Sequence, residues 1–284
     1  MRNLKIILSV LFVLIVSFFV VRGCVHKKIV SREEEIRESI PSKKVFRKRV
    51  GEPVGATRRV ARTSEGPRMA IILDDWGNNF SLTTMAIDIQ RPVTLSILPH
   101  LAQSGKIAEE AFNNNLGVML HMPMEPKNKT KGLEPHTIMT VTPDRDIVSF
   151  LDSALESVPH AEGVNNHMGS AATSDLRVMR TVLKHLVSKG LFFIDSDTIS
   201  TTVASLVAKE VGIPFAKREV FIDNDSNPES IRRYLRRAKT IALKQGRVVV
   251  IGHDKKATLL VIKQMVPEIE QAGIRFVLAK DLVE

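Results

Sequence analysis

Cysteine is almost absent from this 284-residue chain, which limits the cysteine chemistry available to it. Cys24 is the single copy, so no disulfide can form within the chain. It follows a hydrophobic run, a setting in which lipid attachment requires a small residue two positions earlier. Because Arg22 stands there, the sequence argues against a lipid anchor at Cys24.

The main part of the chain has no net charge and few Trp or Tyr side chains for stacking. Residues 70–284 carry 25 basic and 25 acidic side chains, and the whole chain has one Trp and one Tyr. Nucleic-acid binding needs a basic surface with aromatic rings, so we expect no nucleic-acid partner. The net charge of +10 comes from residues 1–69, with 16 Lys or Arg and six Asp or Glu. Such a segment favours anionic lipid headgroups or an acidic envelope polymer.

Local motifs for binding a metal or a phosphate are missing as well. The chain has no HExxH sequence, and GVNN at residues 163–166 is too sparse to be a glycine-rich phosphate loop. Any metal site must therefore be assembled from residues that are distant in sequence. A hydrolase of another ester or of phosphate is accordingly less favoured.

A long apolar run lies near the N-terminus. Residues 6–21 are almost uninterruptedly apolar, with basic residues on both sides. A helix of this length spans about 24 Å, slightly less than a bilayer core. We expect residues 1–24 to be a signal anchor or signal peptide, with an anchor favoured because no clear cleavage site follows. The charged residues 25–68 predict a disordered tether, and residues 69–284 an exported domain in the cell envelope, inner-membrane anchored or periplasmic.

Strand-like and helix-like segments alternate from residue 69 onward. Short apolar runs that end at turn residues predict the strands of a parallel sheet. The segments between them predict helices, two of which are expected to begin at Ser174 and at Asn227-Pro228. About seven or eight such units in 216 residues predict an α/β fold, a (β/α) barrel rather than an open sheet.

Acids and histidines follow most of the predicted strands. The carboxyl ends of barrel strands converge on one mouth, so we expect these side chains to meet there although they are far apart in sequence. Four histidines at four strand ends are difficult to explain by packing alone. The set comprises Asp74, Asp75, His100, His121, Glu125, His167, Asp195 and His253.

The adjacent acids Asp74 and Asp75, in MAIILDDWG at residues 69–77, are the centre of this pattern. In a regular strand they point to different sides, and two ionised carboxylates this close repel unless a cation or a shared proton intervenes. Imidazole and carboxylate are the ligand set of a first-row divalent metal, and zinc is the expected ion. The alternative is that one acid caps the next turn while the other is solvated.

Five short motifs occur in a recognisable order: IILDDWG, LHMPMEP, GVNNHMGS, FFIDSDT, and IGHD followed by TL after three intervening residues. Together they resemble the divergent polysaccharide deacetylase family, a branch of the carbohydrate esterases that includes chitin and peptidoglycan deacetylases. The resemblance covers residues 69–282. It implies a distorted (β/α) barrel of seven or eight units. It also implies a metal-dependent amidase or esterase that acts on N- or O-acetyl sugars.

The resemblance also implies roles for individual residues. Asp74 matches the family's general base, and Asp75 matches its metal-binding carboxylate. His167 matches a metal-ligand histidine. His253 resembles the catalytic histidine that assists the leaving group.

At one position the chain departs from ordinary members of the family. They carry a second ligand histidine four residues after the first, where this chain has Ala171. We assign the missing ligand to His121, from the neighbouring strand, in preference to His100. The remaining polar residues of the mouth are expected to bind substrate: His100, Glu125, Asn165, Asn166 and Asp195. Asn165 and Asn166 either position substrate or orient His167 by a hydrogen bond, or they only satisfy a turn, and the two alternatives are equally open.

Two functions from different classes fit these residues. The first is a metal-dependent hydrolase that removes acetyl groups from an envelope polysaccharide or peptidoglycan. In it, Asp74 acts as the base toward metal-activated water. The second is a non-catalytic envelope protein that keeps the deacetylase barrel and binds glycan, for which the absent second histidine is the best support.

Overall fold

The computed structural model describes residues 66–128 and 132–284. Within these ranges, no helix combines the length and the apolar character needed to cross a membrane. The expected anchor or signal peptide at residues 1–24 and nearly all of the expected tether at residues 25–68 lie outside the described residues. The first strand begins at Arg68, one residue before the predicted start of the globular domain.

The described part of the chain contains nine strands in one sheet, and every pairing between them is parallel. They are β1 (Arg68–Trp76), β2 (Thr94–Ile97), β3 (Gly117–Met124), β4 (Gly163–Met168), β5 (Phe192–Asp195), β6 (Phe215–Lys217), β7 (Val220–Phe221), β8 (Arg247–His253) and β9 (Arg275–Val277). Their order is β6-β5-β4-β3-β2-β1-β8-β7, with β9 paired to β1.

Strand β1 pairs with three other strands, more than any other strand in the described part of the chain. One of its edges pairs with β8 from Arg68 to Asp74. The other edge is shared, because β9 pairs with the first residues of β1 and β2 pairs with it from Ile72 onward. Residues 69–73 are fully buried, as expected of a parallel strand that is covered on both faces.

The sheet curls into a half-barrel and is not closed by a continuous ladder. Strand β6 pairs with β5, whereas β7 pairs with β8. Two residues separate β6 from β7, and parallel strands need a crossover of a dozen or more residues before they can pair with each other. The predicted parallel α/β architecture is confirmed, but the expected barrel is reached only in this curled, incomplete form.

Seven α-helices connect the strands within the described ranges. They are α1 (Thr83–Ile87), α2 (Ser104–Asn113), α3 (Asp144–Ser157), α4 (Leu176–Ser188), α5 (Ala204–Val211), α6 (Pro228–Gln245) and α7 (Lys256–Gln271). Helix α6 begins as predicted, because the Asn227 side chain accepts a hydrogen bond from the Glu229 amide. Helix α4 does not begin at Ser174, which lies in a 3-10 turn. Its cap is Asp175, whose side chain accepts from the Val178 amide.

Alternate strand residues pack on two different faces. In β1, Met69, Ile71 and Leu73 belong to the cluster that includes the helices. Ala70 and Ile72 belong instead to a smaller interior cluster, formed by strands and the C-terminal turn. This alternation determines which polar residues at the strand ends face the concave interior.

Gly163, at the start of β4, is required for packing against β5. A Cβ atom at Gly163 would lie 2.3–2.5 Å from three ring atoms of Phe192. We expect Gly163→Ala to lower the free energy of unfolding by about 1–3 kcal/mol through overpacking. Urea denaturation followed by circular dichroism measures this loss.

Gly105 in α2 provides the matched control. The nearest atom to an added Cβ there is the Ser157 carbonyl oxygen at 3.8 Å. Gly105→Ala should leave stability unchanged or raise it by up to about 1 kcal/mol, since alanine favours the helix. Equal losses in both variants would contradict the packing explanation.

Candidate metal centre and catalytic site

Strand alternation carries the key side chains to the concave interior. Asp74 continues the interior positions of Ala70 and Ile72 in β1. Strands β3, β4 and β8 contribute side chains at equivalent interior positions at or near their carboxyl ends. These are His121, Asn165, His167 and His253.

Asp75 reaches the same site because the backbone breaks the alternation there. Its φ of 69° is left-handed, and the pairing register with β2 shifts between Leu73 and Trp76. The Nε2 atom of His121 consequently lies 3.3 Å from Asp75 Oδ1 and 3.8 Å from Asp74 Oδ2. This corrects the expectation that the two carboxylates point to different sides of the strand.

Three potential ligand atoms form a compact triangle. Asp75 Oδ1 lies 3.3 Å from His121 Nε2 and 3.1 Å from His167 Nδ1, and the two nitrogens are 3.1 Å apart. Ligands at about 2.0–2.2 Å from an ion would be about 3.3–3.6 Å apart in a tetrahedral site and about 2.8–3.1 Å apart in an octahedral one. The triangle therefore fits a first-row divalent cation, and its dimensions do not select zinc.

The electrostatics of the triangle are those of a cation site. Burial raises the pKa of Asp75, but hydrogen bonds and charges from His121 and His167 outweigh it and hold that pKa well below its ordinary value. Burial lowers the pKa of His121, but Asp74 and Asp75 outweigh it and raise the pKa to about 9. Without a metal, a proton on His121 therefore supplies the positive charge between the two carboxylates.

Asn165 orients His121. Its Nδ2 donates to Asp74 Oδ1 at 2.9 Å, so its Oδ1 is the acceptor for Ser96 Oγ at 2.6 Å and for His121 Nδ1 at 2.7 Å. With the proton held on Nδ1, neutral His121 presents a bare Nε2 to the triangle. Asn165 thus joins the expected base to a candidate metal ligand. Its full burial argues against the expected substrate contact.

The carboxylate of Asp74 lies directly beside the triangle. It is almost fully buried, and burial raises its pKa above the ordinary value. The adjacent acids thus have opposite pKa shifts, because Asp75 faces two histidines while Asp74 is enclosed. A carboxylate with a raised pKa next to a cation site is suited to accept a proton from water.

His253 faces the same site from β8, with its Nε2 3.6 Å from Asp75 Oδ2. Asp223 Oδ1 accepts a hydrogen bond from His253 Nδ1 at 2.8 Å. Its other oxygen accepts from the His253 amide and the Thr258 hydroxyl, at 2.9 and 2.7 Å. Burial lowers the pKa of His253, but Asp223, together with Asp75 and Asp74, raises it above its ordinary value.

Asp223 was not among the residues predicted from the sequence. It follows β7, and the same strand-end rule that identifies the other acids applies to it. The strand is only two residues long, however, which weakens its sequence signal.

Comparison with known proteins identifies the family. A family model described as divergent polysaccharide deacetylase matches residues 71–283. The chain belongs to the divergent polysaccharide deacetylase family. The resemblance that the five sequence motifs indicated is therefore confirmed.

The relatives with similar sequences are uncharacterized. YibQ of Escherichia coli K12 is 35% identical over 199 residues, covering 70% of this chain and 62% of its own length. A Haemophilus influenzae Rd protein is 32% identical over 212 residues, covering 73% of this chain and 71% of its own. The crystal structure of ATU2773 from Agrobacterium tumefaciens C58 covers 78% of this chain and 90% of its own. Its TM-score of 0.74 at 22% identity shows a shared fold.

In this member of the divergent polysaccharide deacetylase family, neighbouring strands supply the two candidate histidine ligands. Ala171 is not part of the triangle, and its amide donates to the Glu125 carbonyl at 2.9 Å. The structure brings His121, rather than His100, to Asp75 and His167. The exposed His100 instead packs edge-on against His136, with ring centroids 5.5 Å apart.

Two of the expected substrate contacts are engaged within the protein. Glu125 Oε2 accepts hydrogen bonds from the amide and the hydroxyl of Thr140, at 2.5 and 2.6 Å. Asn166 donates to the Met168 carbonyl at 2.7 Å and accepts from the Ser196 amide at 2.9 Å. These side chains hold loops at the mouth, so Asn166 matches the alternative in which it satisfies a turn.

Asp195 is directed away from the interior. In β5, Phe193 belongs to the helix-side cluster, and Asp195 continues that face. Its carboxylate accepts from the Thr202 hydroxyl at 2.7 Å and the Asp197 amide at 2.8 Å. Alternation therefore directs the Asp195 side chain beneath a loop. The expected contact of Asp195 with substrate would need it to face the interior.

The pKa of His121 predicts a pH dependence of stability for the metal-free protein. Its folded value of about 9 exceeds the ordinary 6.5, so its contribution is complete below about pH 6.5 and is lost as pH rises through about 9. We expect the free energy of unfolding in EDTA to fall over this window by on the order of a few kcal/mol. His121→Gln should remove most of this decline and leave the part that the raised pKa of His253 contributes.

Saturating Zn²⁺ should remove the His121-dependent decline in the same denaturation experiment. A metal requires unprotonated Nε2, so stabilisation by Zn²⁺ should increase with pH over the window in which stabilisation by the proton decreases. An equally steep decline with and without saturating Zn²⁺ would contradict a shared position for proton and metal.

Proposed function

We propose that this protein is a metal-dependent deacetylase of an acetylated envelope polysaccharide or peptidoglycan. The observation that carries the proposal is the Asp75–His121–His167 triangle, with sides of 3.1–3.3 Å. Asp74 beside it and His253 facing it provide a base and an acid. Membership of the divergent polysaccharide deacetylase family supports the substrate class.

In the proposed reaction, the two proton-transfer groups lie on neighbouring strands. Asp74 takes the proton from water as that water attacks the acyl carbon, which its raised pKa favours. Asp75, His121 and His167 would hold a divalent cation, which when bound would supply Lewis acidity toward the acyl carbonyl and toward water. Asn165 keeps Asp74 and His121 in fixed relative positions through its two hydrogen bonds.

His253 then protonates the departing amine or alcohol. This role requires the imidazolium form, which Asp223 and the two site acids favour by raising the pKa of His253. Asp223 acts through His253 and is a positioning residue. Its buried carboxylate, bonded on both oxygens, fixes the ring so that Nε2 faces the site.

The proposed location is the cell envelope, where such polymers occur. It is supported by the apolar run at residues 6–21 and by the basic segment that follows.

Variants of the two adjacent acids separate metal binding from catalysis. Asp75→Ala should weaken Zn²⁺ binding by more than about 100-fold, since loss of a direct ligand exceeds the usual effect of an outer-shell change. Asp74→Asn should still bind Zn²⁺ but should release acetate about 10²–10⁴-fold more slowly. Calorimetry and acetate release from chitooligosaccharides and peptidoglycan provide the two measurements.

In that experiment each acid variant is the control for the other. The proposal fails if the wild-type protein binds no divalent metal, or if Asp75→Ala leaves acetate release unchanged. Glycan binding without acetate release, retained in Asp74→Asn, would instead support a non-catalytic glycan-binding protein. Ala171, in place of the second histidine, is the feature that favours this alternative.

Asp223→Asn should shift the pH dependence of acetate release. The acid form of His253 is lost as pH rises through its pKa, and removing the Asp223 charge lowers that pKa. The alkaline limb of the kcat profile should therefore move to lower pH. The matched control is Asp152→Asn, since Asp152 accepts from His185 at 2.9 Å outside the site and should leave the profile in place.

A further inference from the structure

The two candidate histidine ligands face the triangle with different ring nitrogens. His121 presents Nε2, and its Nδ1 donates to Asn165. His167 presents Nδ1, which lies 3.1 Å from both Asp75 Oδ1 and His121 Nε2. To bind a cation through Nδ1, neutral His167 must carry its proton on Nε2. That Nε2 is buried and has no hydrogen-bond partner.

Glu134 is the acidic residue next to this unpartnered nitrogen. Its Oε1 lies 3.4 Å from His167 Nε2, and its side chain is 28% exposed. Its other oxygen, Oε2, is also buried without a hydrogen-bond partner. His167 Nε2 is a buried donor without an acceptor, and a Glu134 oxygen lies only a few tenths of an ångström beyond bonding distance, so forming this bond stabilises the buried N–H group.

The segment that carries Glu134 is fastened to the end of β3. The Thr137 hydroxyl and amide donate to the Glu134 carbonyl, at 2.6 and 3.3 Å. Further along, Ile138 bridges to Met124, and Glu125 receives two hydrogen bonds from Thr140. Glu125 therefore contributes indirectly to the site, because it holds the segment that places Glu134 beside His167.

We propose that Glu134 is a positioning residue of the metal centre that accepts the Nε2 proton of His167. This inference rests on the proposed metal-dependent function. The carboxylate fixes the tautomer and the ring orientation in which Nδ1 is free to bind the cation. Each histidine ligand then has its own acceptor on the opposite ring nitrogen, Asn165 for His121 and Glu134 for His167.

Metal affinity provides the first test. Zn²⁺ binding to the full-length protein is measured by calorimetry for wild type, Glu134→Ala and Glu134→Gln. We expect Glu134→Ala to weaken binding by about 10–100-fold and Glu134→Gln to weaken it less, because the amide oxygen still accepts the proton. Thermal unfolding in EDTA identifies any variant whose fold is damaged. If the fold of Glu134→Ala is damaged, the Zn²⁺ affinity of Glu134→Gln alone tests the role of Glu134.

Glu109→Gln is the matched control. Glu109 Oε2 lies 3.0 Å from His160 Nε2, which makes it a Glu–His pair outside the site. Its Zn²⁺ affinity should equal that of the wild-type protein. A similar loss in Glu109→Gln and Glu134→Ala would overturn the assignment.

The ring protonation of His167 provides a second readout that a merely structural role would not change. In Zn²⁺-loaded protein labelled with [¹⁵N]histidine, NMR should show His167 bound through Nδ1 with a proton on Nε2. That proton should lose its exchange protection in Glu134→Ala. Binding of His167 through Nε2, or a Glu134→Ala affinity within twofold of wild type, would overturn the role of Glu134 and leave the deacetylase proposal intact. Absence of Zn²⁺ binding in the wild-type protein would overturn both.

Discussion

The site depends on the backbone of Asp75. In a regular strand this residue would face the helix-side core, where Met69, Ile71 and Leu73 are packed. Its left-handed φ of 69° turns the carboxylate toward His121 and His167 instead. Such a conformation costs a non-glycine residue about 1–3 kcal/mol, so the structure around it must hold it in place. Hydrogen bonds at the end of β1 do so, since Trp76 and Gly77 accept from Leu98 and Gln103 at 2.8 and 2.9 Å.

The distance between the two candidate histidine ligands is set by the pairing of two strands, β3 and β4. His121 pairs with Asn165 across β3 and β4, and His167 lies two residues further along β4. The two rings therefore meet diagonally, with centroids 4.9 Å apart and planes at 74°. A pair of histidines four residues apart would rely on one local conformation. Ligands on paired strands inherit the rigidity of the sheet, which suits a site that must hold its geometry.

Much of this site could be predicted from the sequence by two rules. Alternate residues of a strand face opposite sides of the sheet, and the carboxyl ends of parallel strands meet at one mouth. These rules placed Asp74, Asp75, His121, His167 and His253 at one mouth, and the family motifs supported the same residues. What the sequence could not show was the local break at Asp75, because no glycine marks its left-handed backbone. The same limit applies to Asp195. Whether its side chain faces the interior or the helices depends on which residues of β5 pack against the helices, and the sequence does not show this.

Glu134 illustrates a different limit of sequence reasoning. It lies on a connection rather than at a strand end, so neither periodicity nor spacing singles it out. Its position follows from backbone and side-chain hydrogen bonds that involve Glu125, which sequence reasoning assigned to substrate. Residues that act through other residues are in general harder to predict, because their chemistry appears only once their partner's orientation is known.

The opposite pKa shifts of Asp74 and Asp75 account for how neighbouring carboxylates can have separate roles. Asp75 is stabilised as an anion by two histidines, whereas burial raises the pKa of Asp74 and makes it the better proton acceptor. His253 pairs with Asp74 in the ladder between β8 and β1, so the proposed base and the proposed acid are one strand spacing apart. In the proposed reaction, this spacing lets both groups serve a single acyl carbon without movement of either strand. The sheet itself sets the distance between them.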